Sequence, residues 1–400
     1  MASHRSQYDV VIAGAGLIGA TFAALLAERF PHYHIALIER ANALEPNLVA
    51  NQRVVALGHL AKALLSEISV WQSLNIEHCF PYERMLVWDE NSHGELEFAA
   101  SDITPESDVP LTLGHMVDSH ECTRLVQERL AQYANVDVLY QSHIEQIHSE
   151  GDSTEIECLI NGEPSRMTAQ LLVGADGARS SVRRLAKISS SAKSYHQTGV
   201  VARLRAQHSH RDTAWQCFTR EGPIGVLPLD QNDVSIVWSC STESAEELMA
   251  LDDAAFCQAL THNLQGRLGE FELQTERQAF ALKSQRAERY CASTTALLGD
   301  AAHSIHPLAG QGANLGFKDI ECLLAQLSDP TERPLLQRLA RYQSRRAQDN
   351  RLTDQMMSWL NEAFLASPPW WLALRGVGMN WISGSTTLRQ LLIRHAVGMN

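Results

Sequence analysis

The tightest constraint on this chain sits at its start. Tyr8 to Ala13 is a short, mostly apolar run that suits a buried parallel strand, and Gly14-Ala15-Gly16-Leu17-Ile18-Gly19 follows at once. Ala20 to Arg29 then reads as a helix, and His34 to Ile38 as a second strand ending in Glu39. Strand, helix, strand and terminal acid in register describe a dinucleotide-binding unit of an α/β fold. The glycines have separate reasons to be there. Gly14 permits the tight turn, Gly16 lets a pyrophosphate touch the backbone, and Gly19 lets helix and strand pack closely. Glu39 stands where an acid hydrogen-bonds the adenosine ribose.

A second constrained stretch runs from Ala296 to Glu321. Thr294 to Leu298 is a short apolar strand that breaks at Gly299, and the Asp300 carboxylate on the turn can accept hydrogen bonds from sugar or sugar-alcohol hydroxyls. Pro307, Gly310 and Gly312 come next, and a helical pattern begins at Ala313. Glycines just before a helix leave its first N–H groups bare. Those groups, with the positive end of the helix dipole, stabilise an anion placed there.

Between the two, an apolar strand ends in Val173-Gly174-Ala175-Asp176-Gly177-Ala178-Arg179-Ser180. This places the Asp176 carboxylate at a strand's carboxyl end, where open α/β sheets bind ligands. Arg179, Arg183 and Arg184 form a local positive cluster, which a solvated helix face would explain as well as a ligand would.

Gly299-Asp300-Ala301-Ala302-His303 with Pro307-Leu308-Ala309-Gly310-Gln311-Gly312-Ala313-Asn314-Leu315-Gly316 resembles the second FAD-binding motif of the class A flavoprotein monooxygenases. It looks closest to the ubiquinone-biosynthesis hydroxylases of that family, whose fold is like that of para-hydroxybenzoate hydroxylase. The likeness covers nearly the whole chain and is strongest at Gly14 to Gly19, Asp176-Gly177 and Gly299 to Gly316. It implies an aromatic-ring hydroxylase in which NAD(P)H, docking transiently, reduces FAD, and O2 then delivers one oxygen atom to an electron-rich phenol. Pro307, Gly310 and Gly312 become the flavin-positioning loop, with no side-chain base identified. Gly14, Gly16, Gly19, Glu39, Arg53, Arg124, Asp176, Gly177, Asp300, Gly312, Ala313 and Asn314 become the FAD contacts. Arg53, at the head of an expected helix Asn51 to Leu57, maps onto an arginine that approaches the flavin; Arg124, on an expected helix Asp118 to Leu130, could reach the FAD phosphates or ribityl chain. Both arginines read equally well as exposed surface residues. A lipophilic, prenylated quinone precursor as substrate would need an apolar channel.

The expected architecture is a Rossmann-like FAD-binding domain (1–75, 113–182 and 288–345) interleaved with an antiparallel-sheet substrate domain (76–112 and 183–287), then a C-terminal helical region (346–400). Alternating segments from Tyr195 to Trp238 form the substrate sheet, where Trp215, Phe218 and Trp238 read more readily as core than as a ring-binding cleft. Glu243 to Leu264 reads as a helix.

A formal net charge of -13 excludes a nucleic-acid surface, and eight scattered cysteines with no Cys-x-x-Cys pair exclude a disulfide frame or zinc site. No apolar run reaches transmembrane length, and Asp9 leads straight into a strand with no signal peptide, so the expected location is the cytoplasm. Trp359, Trp370, Trp371 and Trp381 crowd a tail broken by Pro368-Pro369. That tail reads as a packed cap, a homo-oligomer contact, or a peripheral membrane or biosynthetic-complex contact. Two other functions share the motifs. A halogenase or prenyl reductase has the same fold, although no Trp-x-Trp-x-Ile-Pro run is present, and a non-catalytic FAD-bound subunit would keep the same glycines.

Overall fold

The computed structural model describes residues 5–45, 53–90, 92, 94–102, 112–304, 312–328 and 333–365 (backbone alone at 76, 354, 356–363 and 365), with Met379, Trp381, Ser383, Ser385 and Gln390. Pro307, Gly310, Pro368, Pro369, Trp370, Trp371 and the Trp359 side chain lie outside the described residues.

Five parallel strands make the centre of the first sheet, in the order Thr295–Leu297, Glu163–Gly174, Gln7–Ala13, Ile35–Ile38, Val136–Leu139. Val10–Ala13, Ile35–Ile38 and Leu171–Gly174 are buried at every position, so both faces of the sheet meet protein there. The helix Leu17–Arg29 is buried from Gly19 to Ala27, with no polar stripe. It lies between the sheet and the helices Ser119–Leu130 and Gly312–Leu327, so every side of it meets protein.

The second sheet has nine strands and is mainly antiparallel. Its central strands are Ser190–Ala206, Asp233–Ser241, Pro223–Pro228 and Thr213–Phe218, continued in parallel by Arg84–Asp89. Period-two alternation divides its residues cleanly. Val200, Ala202, Ile224, Val226, Ile236 and Trp238 face a rear core shared with Phe256 and Leu260 of the helix Asp253–Asn263. The expected single helix Glu243 to Leu264 is two, Thr242–Ala250 and Asp253–Asn263, because Asp252 leaves helical geometry and caps the second by accepting from the Ala255 N–H at 2.8 Å.

A third, three-stranded sheet joins the halves: Val54–Leu57 and Cys79–Tyr82 flank Gly114–Asp118. This corrects the helix expected from Asn51 to Leu57. Among the described residues Arg53 leads into a strand, whose Val54 and Val55 pair with Asp118 and Val117. A four-residue apolar run carries no period of its own, and a distant strand decided its conformation. The last long helix, Leu335–Leu365, ties back to the first sheet through the Tyr342 hydroxyl, which donates to the Leu297 carbonyl at 2.7 Å. Trp381 is 69% exposed. Among the described residues no helix is long and apolar enough to cross a membrane.

Candidate active site

Four loops with motif residues leave the same edge of the parallel sheet. Ala13 lies beside Gly174 and Ile38, and Gly174 beside Leu297, so the strands end level. Backbone bonds continue past the ends: Gly14 donates to Ile38 at 2.8 Å, Ala175 to Ala13 at 2.8 Å and Leu298 to Gly174 at 2.9 Å. The glycine turn, Glu39, Asp176 and Asp300 are thereby gathered at the carboxyl edge, where such sheets bind ligands.

The glycines of this edge fall into two kinds. Gly14 has φ +100°, and a Cβ there would stand 2.4 Å from the Ala175 carbonyl oxygen. At Gly19 a Cβ would stand 2.0 Å from the Gly14 carbonyl oxygen, and at Gly316 it would stand 2.6 Å from Ile18 Cδ1. These glycines are required by packing. At Gly16, Gly177 and Gly312 a Cβ would meet nothing within 4 Å. Among the described residues nothing covers the main chain there, so a ligand can come against it. The N–H groups of Gly312, Ala313 and Asn314 open the helix Gly312–Leu327 and have no acceptor within it. A strand-end acid, a bare glycine turn and a bare helix start along one edge fit an extended dinucleotide, its pyrophosphate at Gly16 and an electron-rich ring at Gly312.

The charged side chains are already engaged. Glu39 accepts from the Ala15 N–H at 2.7 Å and the Ala41 N–H at 2.9 Å, so its carboxylate shapes the glycine turn. Asp176 accepts from Ser180 Oγ, from Ser181 N–H at 2.6 Å and Oγ at 2.7 Å, and from Val182 N–H at 3.2 Å, capping the short helix Ser181–Leu185. Asp300 is exposed on a single turn, Gly299–Ala301. Arg53 is exposed, and its carbonyl accepts from Ser119. Arg124 bonds Glu121 at 2.7 and 2.8 Å and also Glu128, both on its own helix. Asn314 works as a clamp: its Oδ1 accepts from Gly58 N–H and its Nδ2 donates to the Ala56 carbonyl, each at 2.9 Å.

The arginine cluster divides. Arg179 and Arg184 are exposed, while Arg183 turns inward and donates to the Ala178 and Ala301 carbonyls, each at 2.7 Å. It therefore stitches the Asp176 loop to the Asp300 turn, and burial lowers its pKa.

Three important residues gave no usable sequence signal. Gln127 donates to the Ala15 carbonyl at 2.7 Å and accepts from Leu44 N–H at 3.0 Å, supporting the glycine turn from the helix Ser119–Leu130. Asp319, fully buried, accepts from Gly299 N–H at 3.0 Å, meets His303 Nε2 at 2.5 Å and accepts from Arg346 Nε at 2.7 Å. Burial acts to raise the Asp319 pKa, and the charges and hydrogen bonds of His303 and Arg346 more than offset it, so the net direction is down. His303 and Asp319 stood inside the stretch Ala296 to Glu321 without a role of their own; Gln127, Asp319 and Arg346 act through contacts between elements that spacing does not encode.

The front face of the second sheet is opposite the rear core. Trp238, 1% exposed beside Phe256, and Trp215, edge-on to Trp88 at 5.9 Å, belong to the rear. Phe218 is on the front, stacked on Phe364 with centroids 3.7 Å apart. Ala214, Leu227 and Met85 of this face pack against Ala56, Phe80 and Met116 of the three-stranded sheet. Asn314 holds Ala56, so the front face and the start of the helix Gly312–Leu327 are neighbours.

Comparison with known proteins agrees with this geometry. The model of the FAD binding domain family matches residues 7–355. The 3-demethoxyubiquinol 3-hydroxylase of Escherichia coli K12 is 30% identical over 402 residues, covering 98% of each chain. The mitochondrial ubiquinone biosynthesis monooxygenase COQ6 of Xenopus tropicalis is 28% identical over 442 residues, covering 97% of this chain and 93% of that one. The crystal structure of p-nitrophenol 4-monooxygenase PnpA from Pseudomonas putida DLL-E4 superposes with a TM-score of 0.79 at 16% identity, over 99% of this chain and all of the other, and so shares the fold. With an edge that fits a dinucleotide and a family match spanning both sheets, the chain belongs to the FAD-binding family and is an FAD-dependent monooxygenase.

Proposed function

We propose that this protein hydroxylates the aromatic ring of a polyprenylated phenol or quinol in ubiquinone biosynthesis, with NAD(P)H and O2 as co-substrates. The observation that carries this reading is the end-to-end match to 3-demethoxyubiquinol 3-hydroxylase, which spans both sheets and not the FAD edge alone. The apolar lining of the front sheet, with Val201, Leu227 and Val237 half-buried, supports a lipophilic ring.

FAD supplies the redox chemistry when bound. The chain's own part is positional: Gly14, Gly16, Gly19 and Glu39 take the adenosine diphosphate end, and Gly312, Ala313 and Asn314 present main-chain N–H groups to the flavin. Asp176, Gly177 and Asp300 follow strands that end at the same edge, and Arg53 and Arg124 would approach the cofactor from outside it. A polyprenyl tail keeps such a substrate in a bilayer, which favours work at a membrane periphery from the cytoplasmic side.

The overall balance is ring C–H, O2, NAD(P)H and a proton giving ring C–OH, NAD(P)+ and water. Purified, FAD-loaded protein should convert 2-geranylphenol to a product one oxygen heavier. Consumption of NAD(P)H without that product, at any substrate concentration, would remove the reading.

A further inference from the structure

Alternation along Thr213–Phe218 places Ala214, Gln216 and Phe218 on the front face. Ala214 packs into the apolar cluster shared with Ala56 and Leu227; Phe218 packs with Val87 and Phe364. Between these two clusters stands an amide. Gln216 is 8% exposed, yet its side-chain amide has no hydrogen-bond partner among the described residues. Its cross-strand neighbours are Gly225 on one side and Val87 on the other. A Cβ built on Gly225 would stand 3.5 Å from Gln216 Oε1, so the amide oxygen lies over a floor with no side chain.

Charge narrows what this arrangement accepts. In register with Gln216 across the sheet stand Gly225, Val237 and Val201 on one side and Val87 on the other, none of them charged. The amide is therefore a neutral acceptor and donor set in an apolar surround, suited to a neutral hydroxyl and poorly suited to a carboxylate.

We infer that Gln216 is the specificity-determining residue of this monooxygenase: its amide oxygen accepts a hydrogen bond from the phenolic hydroxyl of a ring held on the front face. This rests on the prenylphenol reading above. An acceptor on that hydroxyl both fixes the ring's rotation and enriches it in electrons, which a ring hydroxylation requires.

The test uses FAD-loaded wild type, Gln216→Leu and Gly225→Ala, titrated with 2-geranylphenol and with its methyl ether, which has no hydroxyl proton to donate. Binding is followed by the change in flavin absorbance, and coupling by product formed per NAD(P)H consumed. Wild type should prefer the phenol by about tenfold, one hydrogen bond's worth. Gln216→Leu should lose that preference through weaker phenol binding, raise KM more than it lowers kcat, and leave ether binding unchanged. Gly225→Ala, whose methyl group would stand at ordinary contact distance, 3.5 Å, from Gln216 Oε1, should leave the amide in place and the phenol preference unchanged. If Gln216→Leu fails to retain FAD, Gln216→Met, similar in length and unable to accept the bond, decides by the same criterion. An undiminished phenol preference in the variant overturns the assignment. Wild type that neither binds nor hydroxylates 2-geranylphenol overturns the prenylphenol reading and the assignment with it.

Discussion

The Asp319 carboxylate accepts a hydrogen bond from the Gly299 backbone N–H at 3.0 Å, across two elements that each reach the FAD edge. Gly299 opens the turn that carries Asp300, and Asp319 lies on the helix whose first residue is Gly312. One buried carboxylate thus fixes the turn relative to the helix start. Arg346, from the last long helix, and His303 hold that carboxylate in turn. Asn350 extends the set by accepting from Arg346 Nη2 at 2.6 Å and donating to the Tyr290 hydroxyl at 3.2 Å.

Removing Asp319 should be expensive. Asp319→Ala leaves Arg346 and His303 buried without their acceptor, and breaking such a pair costs about 3 to 5 kcal/mol. Denaturant unfolding of the apo protein reads this directly, and a loss below about 1 kcal/mol would mean the network is incidental. Because the carboxyl pKa is depressed in the fold, its contribution is complete above the ordinary aspartate value of about 4 and is lost as pH falls further. Asp319→Asn should therefore flatten the acid end of the stability profile.

Gly16 and Gly19 should fail differently when changed to valine. A side chain at Gly19 collides with the Gly14 carbonyl, so Gly19→Val should not fold stably. A Cβ at Gly16 meets no described protein atom within 4 Å, so Gly16→Val should fold with a near-normal Tm and purify without yellow colour. Full FAD content in folded Gly16→Val would remove the pyrophosphate from that position.

Glu39→Ala should weaken FAD binding by about 1.5 to 3 kcal/mol, the worth of a hydrogen bond to a charged group. The same change frees the Ala15 and Ala41 N–H groups, so the glycine turn should also exchange its amide hydrogens faster. An unchanged FAD dissociation constant with faster exchange would assign Glu39 to the turn alone.

His115 gives a pH dependence of known sign. Burial first, then Lys62 and His59, pushes its pKa down to about 4, against about 6.5 in an unfolded chain. Below pH 6.5 the unfolded state takes up a proton that the folded state refuses, so stability falls as pH drops toward 4. The loss across that interval approaches about 3 kcal/mol at 1.36 kcal/mol per pKa unit. His115→Gln should lose less stability between pH 7 and 4.5 in urea unfolding, and an identical loss would place the titration elsewhere.

The sequence alone determined which loops matter, because each motif is local: a strand end, a turn and a helix start within a few residues. Gly14 to Gly19, Glu39, Asp176-Gly177 and Gly299 to Gly316 could be read that way, and the α/β class with its interleaved antiparallel sheet followed from the same patterns. Tertiary structure decided what pairing over long distance decides. Val54–Leu57 became a strand because Gly114–Asp118 lay beside it, and Arg183 turned inward because the Ala301 carbonyl was there to meet it. Asp319, Arg346 and Gln127 are ordinary helix residues in sequence, and their buried partners come from other elements. The front and rear of the second sheet were likewise beyond reach. Alternation shows that a strand has two faces, but only the neighbours packed on each face reveal that Trp238 is core and that Ala214 faces the three-stranded sheet.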